Sequence, residues 1–202
     1  NPAKRPLMLA GSASDPNVLY GAVEVGAIIP PRHGGERWEN LSHGQYINDD
    51  LVDMHGVLVS SLNPGTIYTI SRAGMFRSTD WGNHWLYVHL EAMNAKGQIY
   101  CRYIREVPGD PKSIWVAAGA DFQSNAGALF RSNDGGASWE RVNIGFELKN
   151  TMGHIAFDEQ DPSRMYCASQ NGQVFASHDG GQSWSAHPLP EGAVQVYSLA
   201  CG

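Results

Sequence analysis

One octapeptide occurs three times in this chain and limits the folds open to it. The copies are STDWGNHW at 78–85, SNDGGASW at 132–139 and SHDGGQSW at 177–184, with a degenerate fourth, PRHGGERW, at 31–38. The tryptophans that end the four copies follow one another at intervals of 47, 54 and 45 residues. Self-similarity at such a period is typical of solenoids and propellers, in which each repeat is one supersecondary unit.

A second motif runs in step with the first. It reads DPNVLY from Asp15, NPGTIY from Asn63, DPKSIW from Asp110 and DPSRMY from Asp161, at intervals of 48, 47 and 51 residues. Two unrelated markers with one period indicate a structural unit that is repeated along the whole chain.

Each repeat contains four short runs of β-forming residues separated by turn residues. In the last repeat the runs are HIAFDEQ, RMYCASQ, QVFASHD and WSAHPLP, and the turns between them are DPS, NG and GGQS. Helical periodicity is almost absent. Four antiparallel strands per 45 to 50 residues predict an all-β chain that forms a β-propeller, with an open stack of sheets or a sandwich as the alternatives.

We expect one propeller domain or propeller segment over 1–202. The predicted parts are blade one at about 6–44, blade two at about 55–92, blade three at about 99–146, blade four at about 154–190, and a closing or fifth-blade strand at 193–201. Three explanations fit this blade count. The chain is a segment of a longer protein, or a second chain or copy completes the ring, or four blades close on themselves.

The spacing Ser-x-Asp-x-Gly-x-x-Trp resembles the Asp-box, or BNR repeat, of sialidases, some xyloglucanases, sortilin-type receptors and a photosystem II assembly factor. The matching residues are Ser78, Asp80, Gly82 and Trp85, then Ser132, Asp134, Gly136 and Trp139, then Ser177, Asp179, Gly181 and Trp184. Blade two departs by carrying Trp81 where the other copies have glycine. The resemblance implies a propeller of six or more blades whose Asp-box turns lie away from the substrate.

The residue types of the octapeptide suit a turn better than a catalytic site. Aspartate accepts backbone N–H bonds at the head of a turn, glycine adopts positive φ, and tryptophan buries a large ring beside it. We therefore expect these residues to be structural.

If the resemblance holds, the first strand of each blade lines a channel, and binding groups lie where these strands begin. The candidates there are Asp53, His55, Arg102, Arg105, His154, Gln195 and Tyr197. Neighbouring loops add Asp121 and Phe122 in an unusually long loop, Glu91, and His43, Tyr46, Asp49 and Asp50. Aligning the repeats on their proline turns puts His55 and His154 one register step apart.

Two imidazoles and a guanidinium suit an anion or a carboxylate-bearing ligand, with Phe122 and Gln195 as further ligand contacts. The two histidines alone make a weak candidate site for a divalent metal, and no other cofactor is predicted. Equally, polar residues at strand ends often only satisfy loop carbonyls.

Tests for particular enzymes favour a binding module. The arginine cluster of a sialidase cannot be assembled, and no Gly-x-Ser-x-Gly elbow or phosphate-binding glycine pattern occurs. A glycosidase needs two carboxylates, for which only Asp53, Glu91 and Asp121 qualify. The leading prediction is a rigid platform for a small polar ligand, a glycan or a protein. The alternative is a glycosidase-like or other enzyme that acts on a small polar or anionic substrate. In it, Arg102 holds the anionic group and His55 or His154 moves a proton. Asp53 or Asp121 orients the histidine or serves as the acid.

The charge of the chain argues against some partners, and its apolar runs and cysteines bear on its location. Fourteen basic against twenty acidic residues give a net charge of −6, which lacks the basic patch that nucleic acid or an anionic membrane requires. No apolar run is long enough for a membrane span or a secretory signal. Three cysteines without a CxxC pair favour, slightly, a reducing compartment such as the cytoplasm.

Overall fold

The computed structural model describes residues 5–13, 15–24, 27–29, 31–32, 37–38 and 53–201. The chain divides into two compact units, Asn1–Leu90 and Glu91–Gly202. Within the described ranges there is no helix and every strand pairing is antiparallel, so the all-β prediction is confirmed. No helix among these residues has the length and apolarity needed to cross a membrane.

The first unit contains three sheets. Strands β1 (Pro6–Gly11), β2 (Leu19–Val23) and β3 (Ala27–Ile29) form one sheet in that order, and β4 (Pro31–Arg32) pairs with β5 (Arg37–Trp38). Strands β6 (Met54–Val59), β7 (Ile67–Ser71), β8 (Gly74–Ser78) and β9 (Leu86–Val88) form a four-stranded meander. The first two and the last two residues of the degenerate octapeptide thus form the paired strands β4 and β5, and His33 between them lies outside the described residues.

The second unit contains two four-stranded meanders. Strands β10 (Tyr100–Val107), β11 (Asp110–Gly119), β12 (Gly127–Ser132) and β13 (Glu140–Arg141) form the first. Strands β14 (Met152–Phe157), β15 (Met165–Ser169), β16 (Val174–Ser177) and β17 (Ser185–Ala186) form the second. Neighbouring strands in each sheet are consecutive in sequence, as expected for hairpin-connected blades.

Apolar side chains from facing sheets form the core of each unit. In the second unit, buried Trp115 and Leu129 of one sheet pack with Ile155, Phe157 and Phe175 of the next. In the first unit, Met54 and Val57 pack with Tyr20 and Ala22. In each unit, the apolar faces of two neighbouring sheets therefore cover each other.

The two sequence motifs keep one period because they contact each other. In three repeats, the backbone carbonyl of the residue that follows the motif proline accepts a hydrogen bond. The donor is the backbone N–H of the fourth residue of the octapeptide. The three pairs are Trp81 N to Gly65 O at 3.0 Å, Gly135 N to Lys112 O at 2.9 Å, and Gly180 N to Ser163 O at 2.9 Å. Each pair links two hairpin turns at one end of a sheet, which we call the turn end. The opposite end, where the first strand begins, is called the loop end.

The first strand of every repeat carries a β-bulge at the same place. The register skips one residue in β1, β6, β10 and β14, and the extra residues are Leu7, His55, Arg102 and Gly153. His154 follows the bulged Gly153, whereas His55 is itself the bulged residue. The sequence prediction that the two histidines differ by one register step is confirmed.

The predicted strand over 193–201 is not formed. The last strand of the described chain ends at Ala186, and the segment after it makes two separate backbone hydrogen bonds to the preceding strands and turn, from His187 N to Val174 O at 2.8 Å and from Val196 N to Gln170 O at 3.2 Å. A strand requires a continuous partner edge, and this segment does not run along one. Its side chains Val194 and Tyr197 are exposed.

Candidate functional site

Each complete octapeptide closes a hydrogen-bond network around its serine and aspartate. The serine hydroxyl donates to the aspartate Oδ1 at 2.8 Å and accepts the N–H of the glycine four residues on at 2.8 Å. The same distances recur in the copies that begin at Ser78, Ser132 and Ser177. All three serines are buried, so each hydroxyl satisfies a glycine N–H that has no access to water.

The aspartate of each copy is fully occupied within its turn. Asp134 Oδ1 accepts the N–H groups of Ala137 and Ser138, and its Oδ2 accepts the Ser138 hydroxyl at 2.6 Å. Asp179 makes the same bonds to Gln182 and Ser183.

These bonds favour the ionised carboxyl group. The hydroxyl of Ser138 and then its N–H lower the pKa of Asp134 to about 2. Ser183 has the same effect on Asp179, and the His84 side chain, 2.5 Å from Asp80 Oδ2, lowers the pKa of Asp80 to about 2. An acid with such a low pKa cannot serve as a proton donor near neutral pH, so the turn end holds structure rather than acid catalysis.

Trp81 marks the one departure among the complete copies. Its φ is +61°, where the equivalent Gly135 and Gly180 have +71° and +70°. The next position is glycine in all three copies, with φ between +86° and +88°. The left-handed backbone is therefore a property of the turn itself, and its first position admits a side chain while its second has kept glycine.

The loop end of the first unit contains a histidine and an aspartate. His55, at the bulge of β6, is buried, and its Nε2 lies 3.7 Å from Asp53 Oδ2. The sequence prediction placed both residues where β6 begins, and the structure brings them together. The separation is within the range of an ion pair but is longer than a hydrogen bond.

The loop end of the second unit contains Arg102 and His154. Arg102 is the bulged residue of β10, and Tyr103 beside it packs its ring against the His154 ring of β14, with centroids 5.9 Å apart. Burial, and then the charge of Arg102, lower the pKa of His154 below its ordinary value. The imidazole is therefore neutral near pH 7.

Arg102 differs from the other arginines of its unit. These pair with carboxylates: Arg105 with Glu159, Arg131 with Glu140 at 3.5 Å, Arg141 with Glu91 at 3.1 Å, and Arg164 with Asp161 at 3.3 Å. Within the described ranges, Arg102 has no ion pair or hydrogen bond. Arg102 is partly buried as a residue, and its five N–H donors have no acceptor among the described residues.

The long loop between β11 and β12 is tied to the start of β14. Ser124 and Thr151 share a hydroxyl hydrogen bond of 2.9 Å, Thr151 also donates to the Asp121 carbonyl, and Asn150 donates to the Ser124 carbonyl at 2.8 Å. The half-exposed Phe122 ring lies edge-on to Tyr100. These contacts join the loop ends of two neighbouring sheets.

The remaining candidates are placed as follows. The Asp121 carboxylate accepts the Phe122 N–H at 2.8 Å, and Glu91 is held by Arg141. Gln195 accepts the Tyr197 hydroxyl in the exposed segment after β17. His43, Tyr46, Asp49 and Asp50 lie outside the described residues. Among the described residues no group of three or more His, Cys, Asp or Glu side chains is placed to hold a metal ion.

A cavity of about 460 Å³ near Arg141 was not anticipated from the sequence. Its wall includes Gly127 of β12, Asn143 and Phe146. Phe146 is exposed and packs on Phe175. The residues come from two strands and the connection that follows, and no sequence motif marks them.

Comparison with known proteins supports the fold and leaves the function open. The family model described as Sortilin, neurotensin receptor 3, matches residues 127–201, which is less than half of the chain. No curated protein matches the chain in sequence.

Solved structures match over nearly the whole chain. An ancestral GH74 enzyme superposes with a TM-score of 0.73 and 21% identity, covering 95% of this chain and 25% of that one. The GH74 enzyme of Niastella koreensis gives 0.71 and 16%, covering 88% and 28%. YCF48 from Cyanidioschyzon merolae gives 0.58 and 15%, covering 95% and 61%.

These neighbours confirm the predicted β-propeller fold. The chain spans about a quarter of the length of the GH74 enzymes that it matches.

Proposed function

We propose that this chain is part of an Asp-box β-propeller that serves as a rigid binding platform, with its ligand or partner held at the loop end of the sheets. The observation that carries the proposal is the recurrence of a bulge in each first strand. The bulge recurs at one place in every repeat, yet its occupants are as unlike as leucine, histidine, arginine and glycine. Bulges re-aim side chains and are frequent beside binding sites.

The assignment to the Asp-box class is supported by the turn networks. The serine, aspartate and glycine of three copies make the same bonds at the same distances, so the repeated residues have a structural use. The octapeptide residues therefore stabilise the fold, and we assign ligand binding to other residues, at the loop end.

A glycosidase is the second candidate, because the GH74 enzymes share the fold over most of the chain. Glycoside hydrolysis requires two carboxyl groups flanking the scissile bond. In the second unit, Glu91 is paired with Arg141 and Asp121 caps its own loop. These contacts favour the binding platform. Release of reducing ends from xyloglucan, abolished in Asp121→Asn, would favour the enzyme instead.

We also propose that a further sheet, from the same or a second polypeptide, covers the outer face of β1. Leu7 and Leu9 on that face are 37% and 60% exposed, whereas Met8 and Ala10 pack into the core of the first unit. The native mass of this polypeptide tests whether a second copy supplies the covering sheet. A species well above 22.0 kDa supports it, and a monomer contradicts it.

The platform proposal is tested by mapping amide chemical shifts while probes are added. The probes are a xyloglucan oligosaccharide, glucose, sodium glucuronate and sodium succinate. Shifts confined to the bulge regions around His55, Arg102 and His154 support the proposal. Shifts centred on the turns at 78–85, 132–139 and 177–184, or no shifts with any probe, would contradict it.

A further inference from the structure

Two polar side chains at the loop end of the second unit have no hydrogen-bond or ion-pair partner among the described residues. Arg102 and His154 lie on the first strands of neighbouring sheets, and both are partly buried. In the part of the chain that the structure describes, neither side chain makes a hydrogen bond or an ion pair. No nitrogen of the Arg102 guanidinium is among the described side-chain atoms that are buried without a partner, so water can reach it. A bound carboxylate would replace that water with charge-assisted hydrogen bonds.

Nearby acids do not supply that acceptor. Glu91 forms an ion pair with Arg141, and the Asp121 carboxylate accepts a hydrogen bond from the Phe122 N–H in its own loop. Arg105, three residues along the same strand, shows the usual outcome: it pairs with Glu159 and lies over the Phe157 ring. Arg102 therefore differs from Arg105 in that no carboxylate of the described chain competes with a ligand for its guanidinium.

We propose that Arg102 and His154 bind a carboxylate group of a ligand. The guanidinium donates two parallel hydrogen bonds to the carboxylate oxygens, the geometry in which arginine binds such groups most strongly. The imidazole N–H donates one more, and the Tyr103 ring fixes the imidazole orientation. This inference rests on the proposed function, because it names the ligand class for the loop end.

The net charge of the pair favours a carboxylate over a phosphate. Burial and the Arg102 charge keep the His154 pKa low, so the imidazole is neutral and the pair carries one positive charge near pH 7. One positive charge balances one carboxylate group. A phosphate dianion would retain an uncompensated charge in a partly buried site.

The test uses matched pairs of probes that differ only in the acid group. Sodium glucuronate with glucose represents an acidic sugar, and sodium succinate with succinamide represents a small organic acid. Dissociation constants are measured from the amide shifts of Arg102, Tyr103 and His154. We expect at least one acid to bind, and its neutral partner to bind at least about tenfold more weakly, because a charge-assisted bond is lost.

Three variants assign the contact. Arg102→Gln should weaken binding of the acid by about tenfold or more, and His154→Gln by a few-fold. Arg105→Gln is the control, since it removes a charge from the same strand and should change the affinity by less than about twofold if long-range electrostatics are screened. Equal losses in the Arg102 and Arg105 variants would overturn the proposal.

The outcomes separate this inference from the platform proposal. If glucose or the xyloglucan oligosaccharide shifts the loop-end amides while neither acid binds, the platform stands and the carboxylate inference falls. Tighter binding of inorganic phosphate than of both acids also overturns the inference. Shifts centred on the octapeptide turns would overturn both.

Discussion

The two ends of each sheet satisfy their polar groups over very different distances along the chain. At the turn end, Ser132, Asp134 and Gly136 complete their bonds within four residues. At the loop end, Thr151 finds Ser124 across 27 residues, and Arg102 finds no acceptor in the described chain. A locally closed network can recur as a sequence motif because all its members are consecutive. The repeat therefore identifies the scaffold, and we propose that the binding groups lie where the repeats differ.

The largest expected effect is at the second glycine of an octapeptide. Gly181 has φ +86°, and an added Cβ would lie 2.6 Å from Trp115 Cη2. Gly181→Ala should lower the free energy of unfolding by about 3 kcal/mol, combining left-handed strain with overpacking. Urea denaturation measures the loss.

Gly180→Ala is the matched control for that variant. Gly180 has φ +70°, but an added Cβ meets nothing within 4 Å, and Trp81 occupies the equivalent position. Its loss should be about 1 kcal/mol, from backbone strain alone. Equal losses in the two variants would show that contact with Trp115 does not determine which position must be glycine.

Removal of the central hydroxyl should have the next largest effect. Ser132→Ala leaves the buried Gly136 N–H without an acceptor and should lower the free energy of unfolding by about 1–3 kcal/mol. Ser113→Ala, at a half-buried serine whose hydroxyl makes only a long 3.5 Å contact with Asn133, should change it by less than about 0.5 kcal/mol. If the two serine variants unfold alike, the turn network is not what stabilises the hairpin.

Acid should weaken the turn end selectively. The pKa values of Asp80, Asp134 and Asp179 are about 2 in the folded chain, below the ordinary unfolded value of about 4. Their contribution to stability is therefore complete above about pH 4 and is lost as the pH falls from about 4 towards about 2. Thermal unfolding followed over this range measures the decline.

A variant with all three aspartates replaced by asparagine tests the assignment. It should be less stable than the parent at pH 7 and should show a flatter decline between about pH 4 and about pH 2. An unchanged slope would assign the acid sensitivity to other carboxyl groups.

The smallest stability effect is expected at the loop end. Arg102→Gln should change the free energy of unfolding by less than about 0.5 kcal/mol, because it removes no hydrogen bond or ion pair to the described residues. Arg131→Gln should lower it by about 1 kcal/mol, since Arg131 pairs with Glu140 and lies 5.6 Å from the Trp115 ring centroid. Chemical denaturation of both variants compares them, and a larger loss at Arg102 would mean that its role is structural.

The sequence predicted those parts of the structure that are governed by local rules. The alternating strands, the proline turns and the octapeptide networks follow from neighbouring residues, as Asp134 with Ser138 shows. Aligning the repeats also placed Arg102 and His154 at the start of first strands. The contact of Tyr103 with His154 could not be predicted, because it depends on the packing of two sheets. The segment 193–201 looked like a strand because its residues favour β-structure, but pairing requires an edge that composition does not reveal.

The most direct test of the account measures thermal stability and succinate or glucuronate affinity on two variants, Asp134→Ala and Arg102→Gln. Asp134→Ala should lower the melting temperature and leave the affinity unchanged, because the turn end is scaffold. Arg102→Gln should leave the melting temperature unchanged and weaken the affinity by about tenfold or more. Loss of binding in Asp134→Ala with an unchanged melting temperature would contradict the division between scaffold and binding site.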